Sequence, residues 1–289
     1  MALRGKKPKD IPRRLKLLLY GPAGVGKTTA AIQLPRPYII DGERGTDHYG
    51  DLIEKSGGAV FQTTVMDELI REVRSLASEE HEHRTLVIDP VTTVYQDLLD
   101  ACERSVGTQW GRHYGAANQQ MKRLANLMMS LDMNVVVTAH AKAVYADNMK
   151  QVGFTFDGWK RLDYLFDVVF ELEKRGQKRV AKVIKTRIKA FPDGDSFEWC
   201  YDAIADRYGR DILEKQAGAV TLASPDHVYR FNELVGQLSD QERRRLGIDR
   251  ALADVEDVAD LPEARIVKGI ELMESHLLTT NNQLKGVNA

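Results

Sequence analysis

The sequence predicts an α/β protein with a mostly parallel central sheet, antiparallel edge strands and a small C-terminal helical module, and three observations predict it. First, β-rich apolar runs alternate with helical patterns through the first half of the chain, and strands separated by helices form parallel sheets covered on both faces. Second, the apolar run Leu15 to Tyr20 leads into a glycine-rich stretch, GPAGVGKTT from Gly21 to Thr29, with a helix expected behind it. Third, from Phe166 the pattern changes to consecutive strand-like stretches joined by short turns, and after about residue 222 it becomes helical and acidic.

Leu15 to Tyr20 carries a single Lys and ends at glycine, the pattern of a buried strand. The helix that follows starts near Gly26 and stops by Leu34, because Pro35 disfavours helical geometry in the residue before it. Tyr38 to Asp41 and Thr85 to Asp89 are β-rich runs that each end in an acid, and Asn134 to Thr138 is a third run. Met66, Leu69, Ile70, Val73 and Leu76 recur at helical spacing, as do Met121, Leu124, Leu127, Met128 and Leu131. Asp167 to Leu172, Arg179 to Arg187 and Phe197 to Asp202 read as antiparallel strands, with turns at Arg175-Gly176 and Pro192-Asp193-Gly194. Ser224-Pro225 forms an N-cap and first-turn pair, and Ser239 with Glu242 forms a capping-box pattern. Asp260 to Leu278 is amphipathic through Ile266, Ile270, Met273 and Leu277, and the residues from Thr279 on are expected to fray. The domain reading is a basic N-terminal arm over 1–14, an α/β core over 15–221 and a helical module over 222–289.

Composition narrows the functional classes. With 43% hydrophobic and 29% charged residues, the chain matches a globular protein and not a disordered or fibrous one. Its two cysteines, Cys102 and Cys200, lie far apart and outside any zinc-ligand spacing, which suits a reducing compartment. No apolar run is long enough for a signal peptide or a membrane span, so a cytoplasmic protein with no membrane partner is expected. The net charge of -1 says nothing about nucleic acid, so that question rests on local clusters. Residues 1–16 hold seven Lys or Arg against Asp10, and residues 174–190 hold eight with no acid.

The chemistry is concentrated at strand ends. Gly21, Pro22, Ala23, Gly24, Val25, Gly26, Lys27, Thr28 and Thr29 fit the GxxxxGK[ST] phosphate loop. Glycines let backbone N–H groups converge on phosphate oxygens, Lys27 reaches the β and γ phosphates, and the Thr28 hydroxyl ligates magnesium. ATP with Mg²⁺ is therefore the expected ligand pair. Asp89, at the tip of TLVID, is suited to hold the magnesium, or alternatively to form a turn before Pro90. Glu43 in IIDGERG is either the base that activates the attacking water or the partner of Arg44 in a surface ion pair. His140, after VVVTA, is either a sensor of the γ phosphate or a structural histidine.

In this order GPAGVGKTT, IIDGERG, TLVID, VVVTAH and KVIKTRIKAFP resemble the motif set of RecA-like recombinase ATPases over residues 15 to about 202, and within it the short phage nucleotide-binding proteins that include Sak-type single-strand annealing proteins. The resemblance implies a RecA-like P-loop core in which Glu43 is the catalytic glutamate, Asp89 the Walker B acid and His140 the sensor. It also implies that Lys185 and Arg187 enter the ATP site of a neighbouring subunit, so that ATP sits at the interfaces of a homo-oligomeric ring or filament. Without the resemblance, those cations read as a solvated strand face or a nucleic-acid patch.

Two segments stand where RecA-like proteins place DNA-binding loops: Gly107 to Gly115, with Trp110 and Arg112, and Lys142 to Lys160, with Lys150, Phe154, Phe156, Trp159 and Lys160. Rings that stack on unpaired bases beside cations that meet phosphates are what single-strand binding requires, although such rings also pack under domain edges. The implied function is ATP-dependent binding of single-stranded DNA with annealing or recombination, in company with a single-strand DNA-binding protein. About a dozen residues precede the core, so the N-terminal helical domain of archaeal and eukaryotic recombinases is not expected, and annealing is favoured over full strand exchange. A ring helicase or motor, an ATP-switched scaffold or loader, and a signalling ATPase without nucleic acid remain the alternatives.

Overall fold

A computed structural model describes residues 14–147, 149–253 and 255–287. The chain divides into two compact units at Gly218/Ala219, with the short piece Ala77–Glu79 grouped with the second.

The first unit is built on β1 (Lys16–Gly21), β2 (Pro37–Asp41), β3 (Ala59–Gln62), β4 (Thr85–Asp89), β5 (Asn134–Tyr145), β6 (Gln151–Asp157), β7 (Val168–Arg175), β8 (Lys178–Thr186) and β9 (Ser196–Glu198). Between them run α1 (Lys27–Ile32), α2 (Gly50–Lys55), α3 (Met66–Ser78), α4 (Val91–Val106), α5 (Arg112–Ser130), α6 (Leu162–Leu165), α7 (Tyr201–Tyr208) and α8 (Arg210–Leu213). The sheet order is β3-β2-β4-β5-β1-β7-β8-β9, with β6 hung on the outer part of β5. Strands β3, β2, β4, β5, β1 and β7 are parallel, while β8, β9 and β6 pair antiparallel with their neighbours. The α/β class with a mostly parallel sheet and antiparallel edges, expected from the alternation of patterns, is the one observed.

Every residue of β1 is buried because parallel strands flank it and both sheet faces are covered, so its apolar run lacks polar alternation. Leu17 and Leu19 pack with Ala30 and Ala31 of α1 and with Phe170 in one cluster. Lys16, the lone cation of that strand, donates from Nζ to the carbonyls of Met128, Leu131 and Met133 at 3.0, 3.1 and 3.0 Å, around the end of α5. Burial pushes its amine down to about 7. Arg14 is likewise buried, bonded through Nε to Asp132 at 2.7 Å. Of the basic arm expected over 1–14, positions 1–13 lie outside the described residues.

Several expectations need correcting. The stretch Phe197 to Asp202 is not one strand: β9 stops at Glu198, and Cys200 caps a helix starting at Tyr201. Lys142 to Lys160 is not a free loop following a strand that ends at Thr138. Strand β5 continues to Tyr145 and turns back as β6, so the segment is largely a β-hairpin. Gly107 to Gly115 contains a short 3-10 turn, Gln109–Gly111, and the first residues of α5.

The second unit holds α9 (Pro225–Gln237), α10 (Asp240–Leu246), α11 (Ile248–Leu252) and α12 (Glu263–Val287). The Ser224 hydroxyl accepts from the His227 amide, and Ser239 and Glu242 form both bonds of the capping box. Phe231, Leu234, Ile266, Ile270 and Met273 make its core. Gly269 lets α12 approach α9: an added methyl would stand 2.6 Å from the Phe231 ring.

Candidate active site

The register of the sheet sets the site. Asp41 on β2 lies opposite Asp89 on β4, and Gly21 on β1 lies opposite His140 on β5, so three strands deliver polar side chains at the level where β1 enters its glycine-rich loop. This is the carboxyl edge of a parallel sheet, where ligands bind in open α/β folds.

After β1 the chain turns through a loop in which Gly24 and Gly26 take φ of 72° and 96°, a left-handed backbone that glycine adopts without strain. Gly21 is required for space, since an added methyl would lie 2.7 Å from the Leu172 carbonyl oxygen. Val25 is buried and anchors the loop from beneath, while Pro22, Ala23 and Gly24 are exposed. Lys27 Nζ spans the loop and donates to the carbonyls of Gly21 and Pro22 at 2.9 and 3.2 Å. Burial pulls the Lys27 amine down, opposed by the charges of Asp89 and Glu43.

Thr28 and Asp89 meet: the Thr28 hydroxyl donates to the Asp89 carboxylate, and so does the Thr138 hydroxyl. Burial pushes the Asp89 carboxyl up, while these two hydroxyls draw it down. A hydroxyl and a carboxylate in contact beside a phosphate loop are a hard-oxygen donor pair that fits Mg²⁺, which binds few protein oxygens and completes its shell with phosphate and water. Among the described residues no cluster of three His, Cys, Asp or Glu side chains offers a competing metal cage.

Glu43 turns toward Thr93 and His140, not toward Arg44. The Thr93 hydroxyl donates to its Oε1, and His140 Nε2 lies 3.2 Å from Oε1 and 3.3 Å from Oε2. Asp41 builds the turn that presents it: the amides of Glu43, Gly45 and Thr46 donate to its carboxylate at 3.1, 3.1 and 2.9 Å, and the Thr46 hydroxyl at 2.5 Å. Thr92 ties the site to the hairpin by donating to the Asp157 carbonyl at 2.6 Å and accepting from the His140 amide at 2.9 Å. One cavity of about 490 Å³ is lined by Lys27, Thr28, Glu43, Asp89 and His140, together with Thr29.

Lys185 and Arg187 do not line that cavity. Lys185 Nζ donates to the Phe166 carbonyl, and Arg187 donates to the Tyr164 carbonyl at 2.5 Å with Asp167 at 3.9 Å. They therefore share one edge, beside Tyr164 to Asp167. Of the ring and cation set, Trp110 is 89% exposed at a φ of 57°, and Arg112, Lys150 and Lys160 are exposed. Phe154 is 42% exposed on β6 and Phe156 is half-buried two residues on, on the same face. Trp159 is not with them: it is 5% exposed, and its Nε1 donates to Asn118 Oδ1 at 2.8 Å.

Sequence reasoning missed Thr93, Thr138, Tyr49 and Arg179, all of which contact the site residues or line the cavity. Thr138 had a signal, as the hydroxyl two residues before His140 on one strand face; Thr93, Tyr49 and Arg179 arrive from elements whose packing no local pattern encodes.

A family model described as an AAA domain matches residues 13–189. Among solved structures, the chain is similar to the RadB recombinase, with 19% identity and a TM-score of 0.40 over 64% of this chain and 86% of that one. It is also similar to a prototypical ATPase from the type III secretion system of pathogenic bacteria, with 12% identity and a TM-score of 0.37 over 90% of this chain and 79% of that one. No curated protein sequence matches the chain.

Proposed function

The chain belongs to the AAA domain family, and from that premise we propose that it is a magnesium-dependent ATPase that binds single-stranded DNA and couples nucleotide turnover to annealing or recombination. The observation that carries the ATPase reading is Glu43, held by Thr93 and His140, facing the same cavity as Lys27, Thr28 and Asp89.

In this reading Lys27 exchanges the carbonyls of Gly21 and Pro22 for the β and γ phosphates of ATP. Thr28 and Asp89 would hold Mg²⁺, which when bound would offset charge on the phosphate oxygens. Glu43 takes a proton from a water molecule as its oxygen attacks the γ phosphorus; the bond to the bridging oxygen breaks and ADP leaves. His140 contacts Glu43 and is itself paired with Asp157 in the first residue pair of the hairpin, so loss of the γ phosphate is felt at the base of β5 and β6.

The hairpin is the proposed DNA surface. Phe154 and Tyr145 offer exposed rings, and Lys142, Lys150 and Lys160 offer cations, the pairing that stacks bases and meets phosphates. Trp110 and Arg112 form a second candidate contact. The likeness to Sak-type annealing proteins makes annealing the preferred outcome, and a homo-oligomer with Lys185 and Arg187 at its interfaces the preferred assembly.

The test is ATP hydrolysis with and without single-stranded DNA, and annealing of complementary oligonucleotides, for the wild type and Lys27→Ala. The expected result is DNA-stimulated hydrolysis and annealing in the wild type, both lost in Lys27→Ala with the fold intact. Directional unwinding of a duplex would replace annealing with a motor function. Negligible wild-type hydrolysis, with assembly lost in Lys27→Ala, would make the protein an ATP-switched scaffold.

A further inference from the structure

Arg179 lies near the start of β8 with its side chain against the phosphate loop. A methyl group added at Gly26 would stand 2.0 Å from Arg179 Nε and 2.9 Å from its Cδ and Cζ. The side chain lines the cavity that holds Lys27 and Thr28. Its Nε is buried with no hydrogen-bond partner, and among the described residues no ion pair holds the guanidinium. Buried donors are ordinarily satisfied, and a planar guanidinium left open in a phosphate-loop cavity is matched to an oxyanion.

The topology says which oxyanion. Glu43, Asp89 and His140 come from β2, β4 and β5 or the turns that follow them, on one side of β1, whereas β8 lies two strands away on the other side. A terminal phosphate facing Glu43 therefore leaves the retained phosphates toward β7 and β8. Resting on the ATPase reading above, we propose that Arg179 binds the non-transferred phosphates of the nucleotide held by its own chain, and so sets affinity for ADP and ATP alike. This role is separate from that of Lys185 and Arg187, which lie outside the cavity. The guanidinium fork bonds two phosphate oxygens at once, which a Lys ammonium does not reproduce.

Calorimetric titration with ADP and with a non-hydrolysable ATP analogue, both with Mg²⁺, tests it on the full chain. Arg179→Ala and Arg179→Gln are expected to weaken both nucleotides by about 10- to 100-fold, the scale of losing charge-assisted hydrogen bonds. Arg179→Lys is expected to recover part of the loss, and raising salt to narrow the gap between wild type and variants. Unchanged affinity in folded Arg179→Ala and Arg179→Gln, with a wild type that binds ADP, would overturn the role of Arg179 alone. A loss confined to the ATP analogue would place Arg179 on the terminal phosphate and overturn the assignment to the retained ones. A wild type that binds neither nucleotide would remove the ATPase reading, and this inference with it.

Discussion

Glu43 owes its position to Asp41, two residues earlier. Both Asp41 carboxylate oxygens are occupied by donors from Glu43, Gly45 and Thr46, so the buried acid shapes the turn and leaves Glu43 the one directed at Thr93 and His140. The two acids should separate by experiment. Glu43→Gln keeps the shape but cannot take a proton, so it is expected to retain ATP binding while hydrolysis falls by about 10²-fold. Asp41→Ala removes the acceptor for three amides at once and is expected to lower stability by about 2–4 kcal/mol as well as hydrolysis. Single-turnover hydrolysis and thermal melting of each variant check both outcomes. Wild-type hydrolysis in Glu43→Gln would move the base elsewhere. At this scale the phosphate loop was legible because its donors are consecutive in the chain, and Glu43, Asp89 and His140 because acids and histidines at the ends of strand-like runs fall on one sheet edge. What Asp41, Thr93 and Arg179 do was not legible, because it depends on which turn or strand packs beside which.

The β5–β6 hairpin explains why one segment was misread. The first six residues of β5 are buried between β4 and β1, giving a largely apolar run, but beyond His140 the strand leaves the sheet with only β6 beside it. Its outer residues are then half-buried or exposed, and the signal that marks a core strand stops although the strand does not. The helices of the second unit were legible at their starts for the opposite reason: Ser224 and Ser239 satisfy amides three residues away, so their signal is local. Trp159 shows the limit of composition, since an aromatic beside cations reads as a stacking ring until Asn118, 41 residues away in sequence, is seen to hold its indole. The element therefore yields a paired expectation. Phe154→Ala should weaken single-stranded DNA binding by about 1–3 kcal/mol with little change in melting temperature. Trp159→Ala should cost about 3–5 kcal/mol of stability, as other large buried aromatics do. Fluorescence anisotropy on an oligonucleotide and thermal melting measure the two effects, and a Phe154→Ala protein with unchanged DNA affinity would withdraw the hairpin ring as a contact.

For the whole molecule the question is whether one chain contains a complete catalytic site. The cavity gathers Lys27, Thr28, Glu43, Asp89 and His140, yet Lys185 and Arg187 lie outside it, bonded to carbonyls of the Tyr164 to Phe166 segment. Burial and the neighbouring Arg187 charge draw the Lys185 amine down, against the pull of Asp167 and Asp163, as expected where two cations share one edge. Such an edge is stabilised by an anion brought to it, and a nucleotide bound by a neighbouring copy would supply one. If that copy is the partner, hydrolysis depends on assembly, and each half of the shared site can be disabled separately. Lys185→Ala/Arg187→Ala keeps an intact phosphate loop without the cations, and Lys27→Ala keeps the cations with a disabled loop. Each alone should hydrolyse ATP poorly, while mixing them should restore part of the rate, because some interfaces then join a working loop to working cations. If the two cations instead hold DNA phosphates, the double variant binds DNA less tightly but hydrolyses ATP normally when DNA is absent. Mixed variants that give only the sum of their separate rates, with subunit exchange confirmed by a labelled copy, would rule out a site shared between chains.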